Sequence, residues 1–220
     1  MDRNVKAQLR AMKSCPLSER LRYLWSYYKW YALIFLLLLL LAASTLHDIL
    51  HQKSTAFSAL FVNAYALEES VQFSDGFATY AGIDLRTANL YFDTAYYETD
   101  QVNENTITTR QYIATHIASG ELDVLAIDEA DFRESDVLFY TDLREVLSLE
   151  LLNTLQDALF WAQDADSGEK IPIAVRIDTA ARFSSAYALP EGPYLLGICV
   201  NTDHTDTAAA FLSYLFSEAA

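Results

Sequence analysis

The sequence predicts an α/β domain carried behind one membrane-spanning helix: one mostly parallel sheet of about five strands with helices on both faces. Three observations predict it. An uncharged run, Trp30 to Leu46 (WYALIFLLLLLLAASTL), sits near the N-terminus. Beyond it, short apolar runs alternate with stretches of helical period, the pattern of successive βαβ units. Hydrophobic residues make up 52% and charged residues 20% of the 220, which excludes a disordered chain.

Residues 1–26 form a basic segment whose apolar stripe runs through Leu17, Leu21, Leu24 and Trp25 and on to Tyr28. That spacing suits a helix lying on a membrane surface and leading into a span. The span is residues 27–46. A hydrocarbon slab of about 30 Å needs about 20 helical residues. Tyr27 and Tyr28 complete that length, and Lys29 can snorkel towards the headgroups. Trp25, Tyr27, Tyr28, Trp30 and Tyr31 make an interfacial aromatic belt. Residues 1–29 hold seven bases and two acids, a net of +5, which leaves eight bases and 28 acids for the rest of the chain. The positive-inside rule then puts the N-terminus in the cytoplasm and the acidic domain outside the cell. Ala42-Ala43-Ser44 offers small residues for cleavage, yet the region before it is long and has its own apolar stripe, so an uncleaved anchor is expected. Residues 47–54 are a linker and residues 55–220 are the extracellular domain.

Within that domain, Phe57–Ala66 reads as the first strand. A helix follows over Glu68–Ala81, with Phe73, Phe77, Tyr80 and Ala81 on one face and Gly82 as its stop. Ala88–Tyr97 is an aromatic-rich strand, Thr106–Ser119 a helix ending at Gly120, and Leu122–Ile127 a short strand. Ser148 caps one long helix to about Ala162, striped by Leu151, Leu152, Leu155 and Leu159. Ile171–Ile177 and Tyr194–Val200 are two further strands, and Thr205 or Asp206 caps a last helix.

Charge and cysteine content exclude other classes. A net charge of −15 and a pI near 4.5 leave no basic face for nucleic acid. Two cysteines exclude a disulfide-stapled scaffold or a cysteine-rich zinc domain. Cys15 and Cys199 flank the span and cannot pair within one chain.

Three stretches carry a family likeness. Tyr112–Phe132 (YIATHIASGELDVLAIDEADF) resembles the part of type 2 periplasmic solute-binding proteins where a helix ends at a glycine, a short strand carries an aspartate and a helix follows. Phe139–Leu147 (FYTDLREVL) is similar to their continuation, and Pro193–Phe216 (PYLLGICVNTDHTDTAAAFLSYLF) to their late strand, asparagine turn and amphipathic helix. YLWSYYKWYALIF looks like the start of the span in membrane-anchored relatives from single-membrane bacteria. The likeness covers about half of the outer domain. It implies a solute-binding-protein-like lobe that partners or senses for a membrane transport complex. Those proteins close two lobes on a ligand; this chain has length for one.

Other motifs lack their companions. Ile127-Asp128-Glu129-Ala130-Asp131, preceded by Val124-Leu125, has the look of a Walker B strand, but no GxxxxGK[ST] loop exists to cradle phosphates. His47-Asp48-Ile49-Leu50-His51 spaces two histidines like a zinc helix without a third ligand or a base, and reads as a hydrated helix beside the membrane. His116 reads as a partly buried spacer, and His204 is of interest only for its turn after the last strand. Asp128, Glu129, Asp131, Glu134 and Asp136 suit a solvated helix start, with a weak Ca²⁺ site as the other reading. No metal set, cofactor motif or nucleophile elbow is legible.

Open α/β sheets bind ligands beyond the carboxyl ends of parallel strands. That edge would collect Asn63, Tyr65, Tyr96, Tyr97, Glu98, Asp128, Glu129 and Asp178, a ligand- or partner-binding rim rich in tyrosine and acid. Tyr96 and Tyr97 suit three roles: ordinary half-buried packing first, then contact with a partner protein, then stacking on a sugar or cation. The expected partners are the lipid bilayer and a membrane protein or second copy of the chain, with any small-molecule ligand unidentified. The alternative is a cell-surface enzyme acting through carboxylates near Asp128 and Glu98.

Overall fold

The computed structural model describes residues 17–51, 53–94, 104–135, 137–164 and 167–217. The chain divides into two compact units at Gln52/Lys53. In the first, helix α1 runs Leu17–His51, so the segment expected as a linker is helical as far as His51. Its stretch Lys29–Leu46 has a mean hydropathy of 2.0 and none of it is buried, making it the one helix among the described residues long and apolar enough to cross a membrane. Trp25 and Tyr31 are each 70% exposed, as a surface suited to lipid would be. The side chains of Leu17, Leu21, Leu24, Tyr28, His47 and His51 lie outside the described residues.

The second unit contains, in order, β1 (Ser54–Phe61), β2 (Tyr65–Ala66), α2 (Ser70–Ala81), β3 (Ala88–Asp93), α3 (Glu104–Ala118), β4 (Val124–Asp128), α4 (Glu129–Glu134), α5 (Leu143–Val146), α6 (Leu149–Thr154), β5 (Leu159–Gln163), β6 (Lys170–Arg176), α7 (Ala181–Ala186), β7 (Tyr187–Ala188), β8 (Tyr194–Ile198) and α8 (Thr205–Phe216). The main sheet has six strands in the order β3-β1-β4-β8-β6-β5. It is mixed, which corrects the expected mostly parallel sheet of five. Only β3, β1 and β4 pair in parallel; β8 runs antiparallel to β4 and β6, and β5 antiparallel to β6.

The reason lies in the connections. Helices α2 and α3 are long enough to carry the chain back along a strand. The six-residue α7 rises only about 9 Å, against about 23 Å for the seven residues of β6, so the chain returns directly and Ile177 N–H donates to Tyr194 O. The expected helix Ser148–Ala162 is also corrected. Ser148 does cap α6, accepting from Leu151 N–H, but the helix stops at Thr154 and Leu159–Gln163 becomes an edge strand. Its Phe160 and Trp161 favour a pleated surface. The tight turn to β6, where Asp164 N–H donates to Glu169 O at 2.8 Å, forces an antiparallel hairpin.

The first strand ends at Phe61 rather than Ala66, because Asn63 adopts a left-handed φ of 61° and redirects Tyr65–Ala66 into a separate pairing with Tyr187–Ala188. The third strand ends at Asp93. The last helix takes His204, not Thr205 or Asp206, as its cap residue.

Side chains alternate across the sheet. Phe57 and Phe61 join Phe73 and Phe77 of α2 and Phe211 of α8 in an aromatic core. Leu60 and Val62 join Ile113 and Ile117 of α3 in a more aliphatic one on the opposite face. Gly197 of β8 leaves room for the Tyr140 ring, where any Cβ would collide with it.

Candidate functional site

The carboxyl edge forms, and it gathers several of the residues expected there. Asp128 ends β4 opposite Tyr194, the first residue of β8. Glu129 N–H donates to Pro193 O, and Tyr194 N–H donates to the Asp178 carboxylate at 3.2 Å. Asp128, Glu129 and Asp178 therefore surround the start of β8. Each has an internal task. Asp128 accepts from Asp131 N–H at 3.0 Å and caps α4, which is the helix-start reading of the acidic run. Glu129 accepts from the Arg133 guanidinium one turn on. Asp178 accepts from Arg176 Nε at 2.8 Å. Burial pushes the Asp178 carboxyl up, but the Arg176 guanidinium and the Tyr194 N–H outweigh it and hold it below the usual carboxylate range.

The edge is also sealed. The Tyr194 hydroxyl is buried, donates to Val62 O at 2.5 Å and lies 2.9 Å from Ala126 O, joining β1 to β4 beneath the rim. Asn63 sits beside that seal. Tyr65 belongs to the small two-stranded sheet and is 59% exposed. Tyr96, Tyr97 and Glu98 lie outside the described residues, as does Asp136.

A carboxylate with several partners remote in sequence was not singled out by the sequence. Asp123, immediately before β4, is 1% exposed. It accepts from Ser58 N–H at 2.7 Å, from the Thr202 hydroxyl, and from His204 Nδ1 at 3.1 Å. His204 N–H in turn donates to the Thr202 hydroxyl oxygen. The arrangement ties β1, β4 and the β8–α8 turn together. Neighbouring Cys199 is fully buried; burial, then the Asp123 charge, raises its thiol far above the ordinary range and keeps it protonated. A Thr-x-His turn after a strand was the available signal, and it has no force without knowledge that Asp123 lies across from it.

A third feature lies along the other side of β3. Ser58 pairs with Tyr91 and Leu60 with Asp93, so Tyr91 and Asp93 share the α3 face of the sheet. Tyr112 and His116 of α3 rise opposite them, leaving a cavity of about 450 Å³. His116 Nδ1 lies 2.9 Å from a Glu121 carboxylate oxygen, so this histidine is both a partly buried spacer and part of a wall. Among the described residues, no three His, Cys, Asp or Glu side chains converge as a metal site. A scan against protein-family models found no match, and neither did searches of curated proteins and of solved structures.

Proposed function

We propose that the chain is a single-pass membrane-anchored binding or interaction module, holding an acidic, solute-binding-protein-like α/β lobe outside the cell as partner or sensor of a membrane complex such as a transporter. The observation that carries this reading is the unburied apolar stretch Lys29–Leu46 within α1. The +5 flank supports the orientation. Support for the solute-binding likeness is local: helix α3, Gly120 and β4, then β8, the left-handed Asn201 and α8, follow one another as in the stretches that suggested it. The enzyme alternative has weaker support, because Asp128, Glu129 and Asp178 each hold an internal partner.

The test is cysteine labelling on intact cells with a membrane-impermeant maleimide. Lys170 is exposed, so Lys170→Cys should label, while Cys15 should label only after permeabilisation. Native Cys199, buried and protonated, contributes no background. Labelling of Cys15 with Lys170→Cys silent would reverse the orientation and end the extracellular reading.

A further inference from the structure

We propose that the cavity between β3 and α3 is a binding site for a small, uncharged polyhydroxyl ligand of the monosaccharide class. Its volume of about 450 Å³ falls within the usual range for small-molecule sites. Thr55 and Ser58 of β1 both line it. Neither side-chain hydroxyl has a hydrogen-bond partner among the described residues. Thr115 of α3 and Ser119 just beyond it instead bond theirs to helix carbonyls. Ser58 is also out of pattern. Strand β1 is interior to the sheet, and on the face that Ser58 shares with Leu60 and Val62 the alternation calls for an apolar side chain.

The rest of the lining supplies what a sugar needs beside those hydroxyls. Tyr91 is 51% exposed and presents a ring on which the C–H face of a pyranose can lie. Asn89 Nδ2 meets its hydroxyl at 3.3 Å and steadies it. Glu121 has His116 Nδ1 at 2.9 Å, so it enters as an oriented acceptor for a ligand hydroxyl, not as a lone charge awaiting a cation. A sugar hydroxyl donates and accepts at once, which answers Glu121 together with Thr55 and Ser58. An apolar ligand would strip water from the two serine and threonine hydroxyls and return no hydrogen bond. A phosphorylated or carboxylated ligand would find no Lys or Arg among the described residues that line the cavity. The cavity is open to solvent, so water competes for each contact and millimolar affinity is expected. The site lies within the second unit, and the inference does not depend on which side of a membrane that unit occupies.

The experiment titrates the isotope-labelled full chain, in micelles of the sugar-free detergent octaethylene glycol monododecyl ether, with D-glucose, D-galactose and D-mannose. At least one hexose should move the amide resonances of residues 55–58, 91–93 and 112–122 saturably. Tetrahydropyran-2-methanol, the same ring without its ring hydroxyls, should bind about tenfold more weakly or not at all. Ser58→Ala and Thr55→Val each remove one hydroxyl. Both keep the β1 backbone, including the bond from Ser58 N–H to Asp123, so the fold survives. Each should weaken the sugar about two- to tenfold. No saturable shift from any of the hexoses, equal binding of tetrahydropyran-2-methanol, or unchanged affinity in both variants would overturn the proposal.

Discussion

Two aspartates bracket strand β4, Asp123 just before it and Asp128 as its last residue, and the two do different work. Asp128 closes the strand and caps the helix that follows, with a partner three residues away. Asp123 precedes it, is 1% exposed, and gathers donors from 65 to 81 residues away. The first organises one turn of helix. The second fastens three segments that are remote in sequence. The difference teaches that a carboxylate's structural weight depends on what the fold brings across it, not on the acidity of its neighbourhood.

The sharpest way to break this comparison is Asp123→Ala. It leaves the Ser58 N–H, the Thr202 hydroxyl and His204 Nδ1 without their acceptor, and the expected loss is about 3–5 kcal/mol in urea unfolding of the acidic unit, followed by near-ultraviolet dichroism. Next in size is Asp128→Ala, which removes one cap at about 1 kcal/mol. Equal costs for the two substitutions would erase the distinction drawn between them.

The smallest effect sharpens the comparison through pH. The folded-state pKa of Asp178 is depressed, so its contribution is present above its unfolded value near 4 and is lost as pH falls through the folded value. Asp178→Asn should therefore cost about 0.5 kcal/mol at neutral pH and nothing in strong acid, read as converging unfolding midpoints. A gap that persists unchanged below about pH 2 would assign the stabilisation to packing instead.

The same distinction explains what the sequence could disclose. Local signals were legible: the apolar run of α1, Gly82 closing α2 with a left-handed φ of 69°, Ser148 capping α6, and the helix start at Asp128. Long-range pairing was not. Leu151, Leu152, Leu155 and Leu159 have helical spacing, and only the competing hairpin with β6 converts Leu159 into a strand residue. Strand direction in the second half of the sheet depended on the reach of α7, which its local pattern does not display. At the site, the carboxyl rim was located from parallel β1, β3 and β4. Its acids are engaged by near neighbours in sequence, Arg133, Arg176 and the α4 backbone, while the Tyr194 N–H that reaches Asp178 from 16 residues away depended on tertiary placement. The β3 groove was missed because Tyr91, Asp93, Tyr112 and Glu121 meet only after strand register is set.

Strand β8 fills the middle of the sheet although it is later in the sequence than each of the five strands it completes. Before it arrives, β3-β1-β4 and β6-β5 are separate ribbons with no seam, and the Tyr194 hydroxyl that joins β1 to β4 is missing. Synthesis from the N-terminus thus delivers the other five strands before this central one. Folding waits on that strand, as expected where pairing is remote in sequence. The delay leaves two ribbon edges open to chaperones or to proteolysis until synthesis is nearly through β8.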